Sequence, residues 1–215
     1  MHSRSRGHIV RLVGSLAIVA MTAAVAESQA TEPKSNTKGL LIGIALNGSS
    51  IDSDEFDDDS RSGGGLGLQL GWGFTPRFTL LAGLSAALLD DDPEDFVLAH
   101  FDLLARFNFR SGGHAFVPFL EGGFSGRVAA QDDVDFEDNG ATETVDLEIS
   151  GSAFTFGGGA HYYVTPSVAF TASLQVSAGE FSTVKVDDVS IDGFEIDATS
   201  TRLNLGLTLY PMRQR

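Results

Sequence analysis

The chain contains no cysteine, which removes a disulfide framework, a thiol nucleophile and any thiolate metal site. Basic residues are scarce: 14 Lys and Arg stand against 29 Asp and Glu, for a formal net charge of −15. Binding to nucleic acid needs clustered Lys and Arg to meet phosphate, so that class of partner is excluded. Long apolar runs are missing apart from one near the N-terminus, and nothing beyond it carries a convincing helical period. Gly is abundant, 25 of 215 residues, and spread where a helix would have to be. "SGGG" (62–65) precedes no helical pattern, so its glycines read as loop and not as a phosphate cradle. No cofactor motif is visible. The length suits one domain or one closed sheet.

What is present begins with an export pattern. Arg4, Arg6 and Arg11 form a positive start, "LVGSLAIVAMTAAVA" (12–26) is a short apolar run, and Ala24-Val25-Ala26 supplies small residues for cleavage. Residues 1–26 are predicted to be a cleaved signal peptide, with cleavage after Ala30 as the second choice. A retained anchor helix is disfavoured because the run falls short of a span of about 20 residues. Residues 27–38, "ESQATEPKSNTK", read as a loose polar lead-in.

From Gly39 the chain breaks into eight runs that alternate apolar with small or polar residues. Strands are predicted at about 39–48, 64–74, 78–88, 96–109, 114–127, 151–164, 167–178 and 198–210. Three connections are short turns built on Pro or Gly: "TPR" (75–77), "RSGG" (110–113) and "TP" (165–166). The other four, around 49–63, 89–95, 128–150 and 179–197, are long and hold 25 of the 29 acidic residues. One face of each run is apolar, as in Leu66, Leu68, Leu70, Trp72 and Phe74. The other is mostly Gly, Ser, Thr and Gln, with few of the Lys and Glu that a water-washed strand carries. Such small polar groups fit the narrow interior of an eight-strand barrel. Aromatic residues near the short turns, Trp72, Phe74, Phe109, Tyr162, Tyr163 and Tyr210 among them, are predicted to form an interfacial girdle.

At this point the sequence resembles the small outer-membrane β-barrel family of the eight-stranded OmpA/OmpX-like type. The resemblance covers 39–210. It is carried by the strand count, the turn asymmetry, "GFTPRFTL", "YYVTPSVAFTA" (162–172) and the closing run "TRLNLGLTLY" (201–210). It implies an all-β fold: an eight-stranded antiparallel up-and-down transmembrane barrel (39–210) in a bacterial outer membrane, with short periplasmic turns and long acidic outer loops. Residues 211–215 form a short C-terminal tail. The alternative is a soluble lipocalin-like carrier, with the apolar face lining a cavity.

The lumen candidates are His100, Asp102, Arg106, Glu121, Arg127, His161 and Arg202. Charges inside a barrel must be paired or hydrated, and the spacing of Arg106 and Arg127 relative to carboxylates on adjacent strands allows cross-strand pairing. A structural ionic network is the expectation, and a narrow ion-conducting pore is the alternative. Ser125, His100 and Asp102 contain the elements of a Ser–His–Asp grouping, yet no flanking motif supports catalysis, and no enzyme is expected. A lipid-modifying enzyme is the weakest alternative.

Acidic clusters suit hard cations such as Ca²⁺ or Mg²⁺. In "DFEDNGATETVD" (135–146), Asp135, Glu137, Asn139, Glu143 and Asp146 fall at positions 1, 3, 5, 9 and 12 around Gly140. That spacing imitates an EF-hand loop without its bidentate Glu. The expected function is a structural or surface-interaction role for a monomeric barrel. Its acidic loops would meet loosely bound cations, outer-membrane lipid and lipopolysaccharide, or a surface protein or host ligand.

Overall fold

The computed structural model describes residues 35–53, 60–89, 96–109, 113–138, 141–186 and 189–211, with side chains excepted at 53, 132–138, 141–146, 186 and 189–194. The predicted signal segment, most of the lead-in and residues 212–215 lie outside that set. Among the described residues eight strands follow one another: β1 (Gly39–Ser53), β2 (Arg61–Gly73), β3 (Phe78–Leu89), β4 (Phe96–Asn108), β5 (Phe116–Asp138), β6 (Ala141–Thr165), β7 (Val168–Val186) and β8 (Val189–Leu209). Each pairs antiparallel with its neighbours, and β1 closes on β8 through a register running from Ile42↔Leu209 to Ser53↔Ala198. Closure leaves no sheet edge, so every rung of the wall is paired.

The wall is inside out relative to a water-soluble protein. Leu66, Leu68, Leu70, Phe101, Leu103, Phe124, Phe154, Phe156 and Phe170 are all exposed, whereas Arg106, Arg127 and Arg202 are each only 1 % accessible. The lipocalin-like alternative is thereby overturned, because the interior is polar and the apolar side faces out. On β4 the exposed apolar positions run from Val97 to Phe107, ten rises of about 3.3 Å. At a tilt near 40° that stretch spans roughly 25 Å, the height of the apolar band of a membrane barrel.

Two expectations need correction here. The segments 128–150 and 179–197 are not long loops: β5 and β6 stay paired out to Asp138↔Ala141, and β7 and β8 out to Val186↔Val189. Acidic content reads as a loop signal. However, Val134, Thr142, Thr144, Val145, Val184, Val186, Val189 and Ile191 are β-branched, and an antiparallel ribbon already started needs only such residues to continue. Both ribbons carry irregular registers, between Gln131 and Val134 and between Phe181 and Thr183, local breaks of the kind a β-bulge makes, and β6 stays paired with β7 out to Leu147↔Val186.

The second correction concerns Tyr163 and Tyr210. They are 1 % and 0 % accessible and point into the lumen, unlike Tyr162 at 41 %. Side chains alternate along a strand, so Tyr162 outside puts Tyr163 inside. The outward Leu205, Leu207 and Leu209 do the same for Tyr210. Trp72, Phe74, Phe109 and Tyr162 are exposed at the short-turn end.

Candidate functional site

The lumen is filled in layers. At the short-turn end Leu41, Leu81, Leu104, Val117, Tyr163, Ala169 and Tyr210 form a buried apolar cluster. At the other end Ile51, Ala87, Leu89, Leu98, Phe181 and Ala198 form a second cluster. Between them lie the ionisable residues, which reach the interior because each sits at an inward position of its strand.

The layer nearer the short turns is built on Arg106 and Glu121, direct register partners on β4 and β5. Arg106 donates to Glu121 Oε2 from Nε at 2.8 Å and from Nη2 at 2.7 Å, and Gln175 Nε2 donates to Oε1 at 2.8 Å. Arg106 Nη1 also meets His161 Nε2 at 3.2 Å. Guanidinium nitrogens only donate, so Nε2 accepts and the imidazole proton sits on Nδ1, 2.8 Å from Thr171 Oγ1. Thr171 Oγ1 is also hydrogen-bonded to Thr208 Oγ1 at 2.7 Å. The Arg106 guanidinium also stacks on the Phe119 ring, 4.1 Å from its centroid.

The next layer joins strands on opposite sides of the bore. Arg202 on β8 clasps Asp102 on β4 end-on, with Nη1 to Oδ2 at 2.7 Å and Nη2 to Oδ1 at 2.9 Å. Asp102 also accepts from the Ser125 hydroxyl, which is bonded in turn to Thr155 Oγ1. Thr155 is 2.6 Å from Ser177 Oγ, and Arg202 Nη2 reaches Ser177 at 3.4 Å. With Ser125 donating to the carboxylate, the protons run Arg202 → Ser177 → Thr155 → Ser125 → Asp102. The salt bridge closes this ring, and bonds in such a loop reinforce one another.

Arg127 lies above this ring. Its Nη1 donates to the Ala198 carbonyl at 2.9 Å and its guanidinium stacks 4.7 Å from the Phe181 centroid. Nε and Nη2 meet no hydrogen-bond partner. The predicted carboxylate pairing of Arg127 is therefore a correction: among the described residues three buried arginines share two buried carboxylates, and Arg127 is the one without. Asp102 finds its partner across the bore and not on the adjacent strand.

The catalytic grouping does not assemble. His100 Nε2 lies 2.9 Å from Ser200 Oγ, while the Ser125 hydroxyl is committed to Asp102 and Thr155, and Asp102 is held by Arg202. A nucleophile–base–acid relay needs the imidazole between the other two. Sequence reasoning missed Ser85, which accepts from Arg202 Nη1 at 3.0 Å, and Gln175, Thr155, Ser177 and Thr171 as network members. Their signal was available in their inward parity on strands already recognised.

Among the described residues no group of three or more carboxylate or imidazole side chains is close enough to hold a metal ion. The EF-hand-like stretch lies mainly beyond description: Asn139, and the side chains of Asp135, Glu137, Glu143 and Asp146, are outside the described set. Its backbone is paired as Asp135↔Thr144 and Glu137↔Thr142, an extended ladder where the spacing argument presupposed a coiled twelve-residue loop.

This architecture is shared with proteins of known structure. A family model described as an outer membrane protein beta-barrel domain matches residues 15–208. Neisserial surface protein A superposes with a TM-score of 0.58 at 16 % identity, over 80 % of this chain and 97 % of that one. Outer membrane protein OprG from Pseudomonas aeruginosa gives 0.52 at 14 % identity over 83 % and 98 %. AlkL, an outer membrane protein solved in DMPC lipid bilayers, gives 0.51 at 11 % over 88 % and 99 %. Comparison with curated protein sequences gives no match.

Proposed function

Because the chain belongs to the outer membrane protein beta-barrel domain family, we propose that it is a non-conducting barrel of the bacterial outer membrane. Its work is done at its acidic outer end, and no reaction is catalysed in its lumen. The observation that supports this reading is the filled lumen: two ionic layers lie between buried apolar clusters at both ends. An eight-strand barrel is narrow enough for side chains to fill. Arg127 apart, the charged lumen groups here are spent on one another, as a structural plug requires and a hydrated path does not.

With the lumen filled, the outer hairpins are the distinctive chemical surface. They carry most of the acidic residues, and we assign them to the outside, with the short turns in the periplasm. Clustered carboxylates recruit divalent cations, and through these the anionic groups of lipopolysaccharide or a surface partner. Reconstitution into planar bilayers tests the reading. The expected result is no steady unitary current. Regular current steps that disappear in Arg106→Ala or Glu121→Ala would overturn it in favour of a pore.

A further inference from the structure

The lead-in reads as loose polar chain, yet two of its last residues are buried. Ser35 is 7 % accessible and Thr37 2 %. The segment precedes β1 and contributes no rung to the barrel, since strand pairing starts at Gly39↔Gly73. It turns back into the short-turn mouth instead. Asn36 Oδ1 accepts from Lys38 N at 3.3 Å, a side-chain turn. Gly39 takes φ of 93°, a left-handed backbone that an L side chain resists. Once inside, Thr37 Oγ1 donates to the Pro76 carbonyl at 2.6 Å, and Tyr163 OH donates to the Asn36 carbonyl at 3.1 Å. These contacts tie the segment to the β2–β3 turn and to a residue of the apolar cluster at the short-turn end.

We propose that residues 35–38 are a built-in plug, a strap that seals the periplasmic mouth at rest and can be drawn out without breaking the barrel. The periplasmic assignment rests on the orientation proposed above; the sealing does not. Two features of the seat support displaceability. Leaving it costs side-chain hydrogen bonds and packing but no strand pairing. The seat is also polar: Thr79 Oγ1, both polar atoms of the Asn108 amide and Asn36 Nδ2 are buried with no protein hydrogen-bond partner. Unmet buried groups are costly, and water entering as the strap lifts would satisfy them. Thr79 is the register partner of Gly73, and Asn108 is tied to the same turn through its N–H to the Arg77 carbonyl at 2.8 Å. The orphaned groups therefore flank the strap's own contact.

Gly73 supplies a way to unseat the strap. A Cβ added there would lie 2.0 Å from the Thr37 carbonyl oxygen, and a backbone atom cannot be swung aside like a side-chain tip. The absence of cysteine makes Thr79→Cys a clean reporter of what lies beneath the strap. In folded, heat-modifiable protein in detergent, a water-soluble maleimide should label Thr79→Cys slowly. Adding Gly73→Ala, or Thr37→Glu, should raise that rate roughly tenfold or more while the barrel stays folded, because labelling tracks the open fraction. Gly48→Ala, where an added Cβ meets nothing within 4 Å, should leave the rate unchanged. Fast labelling in Thr79→Cys alone, or a rate that neither Gly73→Ala nor Thr37→Glu raises above it, would overturn the plug. The readout needs neither bilayer current nor cation, so it fails or stands apart from the non-conducting reading.

Discussion

At the scale of single residues, the lumen separates charges that hold the barrel from one that does not. Arg202 is the only described partner giving Asp102 two charge-assisted bonds, so Arg202→Met leaves a carboxylate buried and uncompensated, at a cost of about 3–5 kcal/mol. Arg127 has one carbonyl and one aromatic face. Arg127→Met removes a buried cation with no carboxylate beside it and is expected to be neutral or stabilising, within about 1 kcal/mol of the parent. Urea unfolding of the two variants in lipid checks the contrast, and equal losses would contradict it. Parity along the strands made all seven lumen residues legible from sequence. Their partners were less so. Arg106 and Glu121 sit on adjacent strands and could be matched, but Asp102 and Arg202 meet across the bore, 100 residues apart, and that meeting depends on how strand tilt and stagger close the barrel. Tyr163 and Tyr210 were readable by the same parity. Their grouping with a girdle overrode it.

At the scale of elements, all eight strands and the tight turns at 75–77 and 165–166 could be read, because a wall with lipid on one side and a packed lumen on the other enforces a period of two; the third predicted turn, at 110–113, lies mainly outside the described residues. Outside the bilayer that constraint lapses. There, β5 to β8 continue as ladders whose sequence shows acid and β-branched residues in no strict alternation, so their outer halves were invisible as strands. The same reasoning places the cost of a charge. Leu103 lies on the outer face of β4, midway between Val97 and Phe107. Leu103→Arg is expected to destabilise the barrel by about 2–4 kcal/mol, the midplane cost for a cation facing lipid. Chemical unfolding in vesicles measures it. A loss below about 1 kcal/mol would move the apolar band away from this level of the wall.

At the scale of the whole molecule, an apolar belt that cannot face water joins a plugged core and an end where negative charge is concentrated. The belt fixes where the chain resides, and on the reading proposed above the filled lumen carries no current. What remains is the field of the outer end, where like charges raise the energy of the native hairpins unless ions gather to screen them. Monovalent salt screens only over the Debye length, about 8 Å at physiological strength, whereas a divalent cation can bridge neighbouring carboxylates. Limited proteolysis of the outer hairpins should therefore slow in Ca²⁺ relative to chelator, with half-maximal protection at roughly 0.1–1 mM, the range of weak extracellular sites. NaCl at matched ionic strength should give only part of the effect. If NaCl reproduces all of it, the acidic end acts as a diffuse charged surface without bridging, and lipopolysaccharide contact through cations loses its physical basis. If Ca²⁺ protects and NaCl does not, the carboxylates are close enough in the folded hairpins to share an ion, which spacing along the sequence alone could not establish.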